Sequence, residues 1–409
     1  LPLLYIAGKD PSTAVGGHST YVRAHALAAV AAGYAPHIFC VDSRAGRCET
    51  EYGVIHRVAS PVPWRRHPAM VAHGPWLTAA VRRLLRGAAG DHLVHGFGPW
   101  SHVAVRACRA LGRHGVRAVP VASAYTTLAH DWRGKLAGLR WGDGAARRLR
   151  YAAEYLWIRG VAGRCERQGY AASRLVLVNY DSVRRLLAEG LGVQAEIRRI
   201  PYASVAAFRT DQGGAAPPPS LAALRPAGAP LVMTLARHDP RKGLDLLLRC
   251  LASLQAAGMP FRACLVGPGT LLEQHRRLAA TLGLSGSTAL VGRVDDPLAY
   301  LRHADIFVLP SHEEGSGSVA LLEALQMGCA VVASRCDGIP EDLTSGDNAL
   351  LTPPGDEAAL RSALAALLAD EELRRRLAAR ARATYEARFS AAGLVAALAA
   401  AYADLGFAP

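Results

Sequence analysis

IFVLPSHEEGSGSVALLEALQMGCAVVAS, residues 306–334, holds two short apolar runs separated by a polar loop and a helical pattern. Ile306–Leu309 and Ala330–Ala333 are continuous apolar runs, which predict strands buried on both faces. Between them the loop runs into a helical pattern over Val319–Met327. Strand, loop, helix, strand is the repeating unit of an open parallel sheet. Ligands of such sheets gather at the carboxyl ends of the strands, where Glu313-Glu314-Gly315-Ser316-Gly317-Ser318 lies. Glycines and serines leading into a helix present N–H and hydroxyl donors to a diphosphate. Glu323 stands among Leu321, Leu322, Ala324 and Leu325. A carboxylate in so apolar a stretch is more often paired or functional than idle.

The same alternation runs outward in both directions. Strands are expected at Leu231–Leu235, Phe261–Val266 and Thr288–Val291, with helices from Leu244 and Leu271 and a mostly helical chain from Glu357 onward. Towards the start, strands are expected at Leu3–Ala7, His37–Val41, His92–His95, Val119–Ser123 and Leu175–Asn179, and a helix over Ser19–Ala32 ending at Gly33. Residues 209–229 contain GGAAPPPS and all but the last residue of RPAGAP and have no periodicity, so they read as a linker. The expected architecture is α/β, with two Rossmann-like domains facing across a cleft. They are an N-terminal domain over 1–208, the linker, a second domain over 230–385, and a C-terminal helix over 386–409 packing back on the first. Transferases, dehydrogenases and binding proteins all use this plan.

Composition narrows the classes. In 409 residues with 51% hydrophobic and 20% charged side chains there is ample material for cores, which excludes a disordered chain. No apolar run approaches the roughly 18 residues of a membrane span. Leu1–Ala7 reads as a strand rather than a signal peptide, because no basic segment precedes it. The eight cysteines show neither CxxC nor zinc spacing and read as reduced thiols of a cytoplasmic protein. The net charge of +14 is unevenly placed. Through Arg209 there are 29 Lys and Arg against 12 Asp and Glu, and beyond it 18 against 21. A basic half suits nucleic acid, anionic lipid or an anionic substrate.

Three further turns carry chemistry. Val15-Gly16-Gly17-His18 follows the first strand and opens a helix, so a phosphate can approach its backbone. Val266-Gly267-Pro268-Gly269 ends a strand, but Leu272 occupies the third glycine position of a dinucleotide fingerprint, which weakens a nicotinamide reading. In Leu235-Ala236-Arg237-His238-Asp239-Pro240-Arg241-Lys242-Gly243, Arg237 ends a strand and Lys242 stands at the mouth of the next helix. Two cations so spaced can clamp a diphosphate and stabilise the charge that develops as it leaves.

The strings LARHDPRKGLDLLL, LVGPG, LVGRVDDPLAYLRHADIFVLPS, EEGSGSVALLEALQMGCAVVAS and GIPEDLTSGDNALLTPPGD together resemble the donor domain of the retaining glycosyltransferases of family four, which have the GT-B fold. AVGGHSTYVRAHALAAVAAGY, DHLVHGFG and VLVNYDSVRRLL are similar to that family's acceptor domain. The resemblance implies transfer of a sugar, with retained anomeric configuration, from a nucleotide-diphosphate donor of UDP or GDP type to an acceptor hydroxyl. By resemblance Arg237, Lys242 and Glu314 are catalytic, and Glu323 holds the ribose. Gly16, Gly17, Gly267, Arg293, Val294, Gly315, Ser316, Gly317 and Ser318 line the donor. Gly292-Arg293-Val294 faces the base, and the donor phosphate itself helps to deprotonate the acceptor. No cofactor or metal is implied, and no Asp-x-Asp occurs.

The chain departs from the family pattern where sugar and acceptor would sit. Eight residues, not seven, separate Glu314 from Glu323, so Glu314 or Gly315 holds the first-carboxylate position. His95-Gly96-Phe97 has Phe97 for a second histidine, and Tyr125 stands where a histidine is expected. His18, His95, Phe97, Tyr125 and His130 are the candidates for the acceptor or sugar pocket. Residues 132–168 hold nine Lys and Arg, three acidic residues, and Trp132, Trp141, Tyr151, Tyr155 and Trp157. Such a stretch can rest on an anionic membrane, at the inner face, frame an acceptor channel, or fold its aromatics inward as a solvated helix pair. The leading expectation is a glycosyltransferase of secondary-metabolite or glycoconjugate biosynthesis in bacteria. A sugar-nucleotide epimerase or hydrolase is the alternative. A nucleic-acid-binding protein comes third, since no recognised binding motif accompanies the charge. Oligomeric state is not legible.

Overall fold

Parallel pairing of short, wholly buried strands dominates the computed structural model, which describes residues 2–14, 16–62, 68–86, 90–137, 144–208, 216–224 and 226–409. The chain divides into two units. The first comprises Leu1–Trp132, Ala152–Phe208 and Phe389–Pro409; the second comprises Arg133–Tyr151 and Arg209–Arg388. Part of the basic stretch thus groups with the second unit, a division that the domain boundaries expected from sequence do not contain. Residues 209–215 and 225 of the expected linker, and 138–143 of the basic stretch with Trp141, lie outside the described residues.

The first unit holds β1 (Pro2–Gly8), β2 (Ala35–Asp42), β3 (Gly46–Thr50), β4 (Gly53–Ala59), β5 (His92–Phe97), β6 (Ala118–Ala124), β7 (Leu175–Val178) and β8 (Ile197–Arg199). Their order is β3-β4-β2-β1-β5-β6-β7-β8, parallel except where β3 pairs antiparallel with β4. The second unit holds β9 (Leu231–Leu235), β10 (Arg262–Val266), β11 (Thr288–Val291), β12 (Ile306–Leu309), β13 (Ala330–Ser334) and β14 (Leu350–Thr352), ordered β11-β10-β9-β12-β13-β14 and all parallel. In each sheet the chain winds to one side and then to the other. The switch falls between β1 and β5 in the first and between β9 and β12 in the second. At such a point the two loops that leave the neighbouring strand ends diverge, opening a crevice.

The strands expected from aliphatic runs occur within a residue or two of their expected ends. β3, β4, β8 and β14 were not anticipated, for two reasons. GRCET and GVIHRVA carry charged and polar residues at intermediate and exposed positions, and β8 and β14 are three residues each, too short to show a period. Both cores are aliphatic. Leu4, Ile6, Val94, Val103 and Leu111 fill one, and Val232, Leu247, Leu251, Val308 and Val332 fill the other. No described helix is long and apolar enough to cross a membrane, and the eight cysteines are unpaired.

Candidate active site

In the second unit β9 ends at Leu235, and the chain turns through Arg237 and Asp239 into a single helical turn, Pro240–Lys242. The Asp239 carboxylate caps that turn by accepting the Arg241 N–H at 3.2 Å. Gly243 then takes φ 61°, and a side chain there would strike the Pro310 carbonyl oxygen at the end of β12. Glycine therefore lets the turn lie directly on the neighbouring strand end. The His312 N–H donates to the Arg241 carbonyl at 2.8 Å and fixes the approach. Gly267 does the same service at the end of β10, where a side chain would meet the Ala236 carbonyl oxygen.

The consequence of this close approach is an ion pair. Lys242 Nζ lies 2.6 and 2.7 Å from the two Glu314 carboxylate oxygens, with both side chains nearly inaccessible to water. Burial pulls the Lys242 ammonium pKa down, and the Glu314 charge opposes that shift. The Ser311 hydroxyl also donates to the Glu314 carboxylate. Gly315 takes φ 82°, and Ser316 and Ser318 are buried. The loop enters helix Val319–Met327 with Ser318 extended and its hydroxyl making no cap bond. Of the two positions open for the first carboxylate, Glu314 is the one beside Lys242.

Other expected donor residues are placed less tightly. Arg237 is half-exposed and pairs with Asp239 at 3.2 Å, so Arg237 and Lys242 have different carboxylate partners. Glu323 is half-buried on its helix and its charge acts on Tyr385 of helix Glu371–Arg388. Arg293 is exposed and Val294 half-buried in the loop after β11. His238, beneath the turn, pairs with His275 at 2.8 Å between their Nδ1 atoms, and burial holds its pKa down at about 4.

In the first unit, Gly16 and Gly17 open helix Gly17–Ala31 with no side-chain cap, and nothing stands within 4 Å of where their side chains would be. His18 donates from Nε2 to the Ala7 carbonyl at 2.7 Å, so its Nδ1 accepts from the Tyr125 hydroxyl, also at 2.7 Å. Burial keeps its pKa near 4, so this imidazole is neutral at physiological pH. The structure thus joins His18 to Tyr125. His130 is buried, and its N–H donates to the Thr127 hydroxyl at 3.3 Å.

His95 and Phe97 require a correction. Sequence reading set them beside a pocket, but both are fully buried and stack on each other at 4.5 Å. His95 Nδ1 meets the Tyr402 hydroxyl at 2.6 Å and Nε2 meets the Ser123 hydroxyl at 2.8 Å. Tyr402 in turn meets the Tyr5 hydroxyl at 3.0 Å. This histidine anchors the terminal helix Ala391–Ala403 to the sheet.

Two family models match the chain. "Glycosyl transferases group 1" covers residues 222–384, and "Glycosyltransferase Family 4" covers residues 15–203. The chain belongs to glycosyltransferase family four. Its fold is GT-B. It is 34% identical over 165 residues to the lipopolysaccharide core biosynthesis glycosyltransferase LpsE of Rhizobium meliloti, an alignment covering 40% of this chain and 47% of LpsE. The match therefore spans about half the length of that relative. Sucrose-phosphate synthase from Thermosynechococcus elongatus superposes with a TM-score of 0.77 at 21% identity, over 99% of both chains. HepE of Anabaena, in complex with UDP-glucose, superposes with a TM-score of 0.67 at 16% identity, over 98% of this chain and 99% of HepE.

In each unit, residues that hold the candidate loops escaped the sequence reading. Asp337, at φ 49°, accepts the N–H groups of both Glu314 and Gly315 at 2.7 Å. Asp10 accepts from Ser12 and, at 2.6 Å, from Arg57, tying the loop before Gly16 to β4. Burial raises the Asp10 pKa, but these bonds outweigh it and hold the carboxyl below its usual range. Glu166 accepts the Leu128 N–H at 3.0 Å at the start of the helix that carries His130, and burial pushes its pKa up to about 8. Only an apolar flank around an acidic residue could have flagged these, and none of the three has one in sequence.

Proposed function

We propose that the protein transfers a sugar, with retention of anomeric configuration, from a nucleotide-diphosphate donor of UDP or GDP type to a saccharide or lipid-linked hydroxyl. The observation that carries this reading is the buried Lys242–Glu314 pair beside a glycine–serine loop at the switch point of the second sheet. A desolvated ammonium there stabilises the charge that grows on the departing diphosphate, and low local polarity strengthens the effect. Arg237 adds a second, more exposed cation, Glu314 meets the donor sugar, and Glu323 takes the ribose hydroxyls. The bond from the anomeric carbon to the phosphate oxygen breaks, and a bond to the acceptor oxygen forms on the same face. The acceptor proton passes to the departing phosphate. With cations of the protein in this role, the reaction proceeds without a divalent metal and without a cofactor. LpsE by its name acts in lipopolysaccharide core synthesis and HepE binds UDP-glucose, which supports a glycoconjugate acceptor and a uridine donor.

A thermal-shift screen of nucleotide sugars identifies the donor, because a ligand bound only by the native state raises the melting temperature by mass action. Turnover in EDTA and an α-to-α or β-to-β product, read by NMR coupling constants, are then expected. Inversion, or release of nucleotide and altered sugar with no glycoside formed, would refute the reading in favour of an inverting enzyme or of an epimerase or hydrolase.

A second element concerns location. Leu149, Leu156 and Val161 are exposed at 73%, 69% and 44%, and lie in the same basic helical stretch as the exposed Arg150 and Arg159. Exposed aliphatic side chains among arginines suit the surface of an anionic membrane, at its cytoplasmic face. Co-sedimentation with phosphatidylglycerol vesicles that Leu149→Ser and Leu156→Ser abolish is the expected result; equal sedimentation by the variant would refute it.

A further inference from the structure

The loop that carries Glu314 is held by the segment leaving β13. The Cys336 thiol lies 3.9 Å from the Ser311 carbonyl, and the Gly338 N–H donates to the Ser316 carbonyl at 3.2 Å. Between these, Asp337 Oδ2 accepts the N–H groups of Glu314 and Gly315, each at 2.7 Å. Asp337 is the one non-glycine residue with positive φ among the described residues. Aspartate enters that region at some cost, and such a conformation persists only where its surroundings hold it. Here the return is two charge-assisted bonds to successive amides of a glycine-bearing loop. They orient the backbone from which the Glu314 side chain leaves towards Lys242.

We propose that Asp337 is the positioning residue that sets Glu314 against Lys242, and that it accommodates the extra residue between Glu314 and Glu323. This inference rests on the reading of Lys242 and Glu314 as the reacting site. Asp337 acts through the loop backbone, as a positioning residue. An extra residue would leave the loop free to bulge, moving the carboxylate off the ammonium. A carboxylate astride both amides removes that freedom. The acceptor geometry is what the role needs rather than the negative charge, so an amide oxygen in the same place substitutes for it.

The test compares Asp337→Gly with Asp337→Asn in the full chain. Glycine relieves the backbone cost while deleting the acceptor, so the fold survives and its melting temperature serves as the control. Asparagine keeps an acceptor and tolerates positive φ. For Asp337→Gly the expected results are amide hydrogen exchange about tenfold faster or more at Glu314 and Gly315, and kcat lower by about tenfold or more with the donor KM little changed. Asp337→Asn should restore both to within roughly threefold of the parent. Unchanged exchange in Asp337→Gly overturns the clamp. Faster exchange with unchanged kcat overturns the positioning role. Lys242→Ala is run alongside: if it keeps the parent kcat, the reading of the site fails, while the exchange measurement still decides the clamp.

Discussion

Replacing Lys242 with Ala removes one member of a pair whose side chains are only 10% and 5% exposed, for Lys242 and Glu314 respectively. At 2.6 Å, and with an effective dielectric constant of about 20, their attraction is on the order of 6 kcal/mol. Desolvation of both ions consumes much of this, so the pair itself adds little net stability. Truncating one partner is different, because Glu314 is then left buried without its ammonium, with the Ser311 hydroxyl still donating to it. Such truncations cost about 3–5 kcal/mol. In a double-mutant cycle with Glu314→Gln, urea unfolding should therefore show a coupling of about 2–3 kcal/mol. Kinetically, loss of one preorganised electrostatic group lowers kcat by about 10²–10³. The rate is read from nucleotide release with the donor found by thermal shift. A variant within threefold of the parent kcat, or a cycle with no coupling, would refute the assignment of Lys242 to the leaving group.

Three other outcomes are expected. Glu323→Ala should weaken binding of the free nucleoside diphosphate in calorimetry by about tenfold or more, the scale of losing hydrogen bonds to a charged acceptor; unchanged affinity would remove Glu323 from the ribose. The first unit should be most stable near pH 6.5. Below that, His18, His25 and His56 are neutral when folded down to about pH 4 but protonated when unfolded, so stability rises with pH. Above it, Glu166 keeps a proton to about pH 8 that the unfolded chain has lost, so stability falls by up to about 1.4 kcal/mol per pH unit. Glu166→Gln should flatten the falling limb in melts at pH 6.5–8, and an unaltered slope would exonerate Glu166. Tyr402→Phe leaves His95 Nδ1 without its hydroxyl partner and should cost about 1–3 kcal/mol in the same melts.

The sheet plan was legible because its strands are aliphatic runs. A fully buried parallel strand needs little beyond Val, Ile, Leu and Ala, and Gly33 marks a helix end by itself. Lys242 and Glu314 were legible as separate motifs, but their meeting depends on the β9–β12 adjacency and on Gly243 admitting the Pro310 carbonyl. His95 entered through its place in a family His-x-His pattern, and only the distant Tyr402 shows that its ring is held in the core. Asp337, Asp10 and Glu166 were invisible because each acts on backbone or charge brought near by folding: loop amides, Arg57 on β4, and the Leu128 N–H.

The hydroxyl of Tyr402 has a consequence for biosynthesis. Ser123, His95 and Tyr5 belong to the first third of the chain, yet the partner that completes their chain of hydrogen bonds lies at residue 402. At ribosomal speeds the intervening stretch takes on the order of tens of seconds to emerge. Throughout that interval the nascent first sheet has its strands but not its closing helix, and a seam of aliphatic and polar groups stays open. Premature release before Ala391–Ala403 would leave a sheet that chaperones and proteases can distinguish from a finished one. Helix Ala391–Ala403 is thus a late-made element on which the polar chain of the first sheet depends.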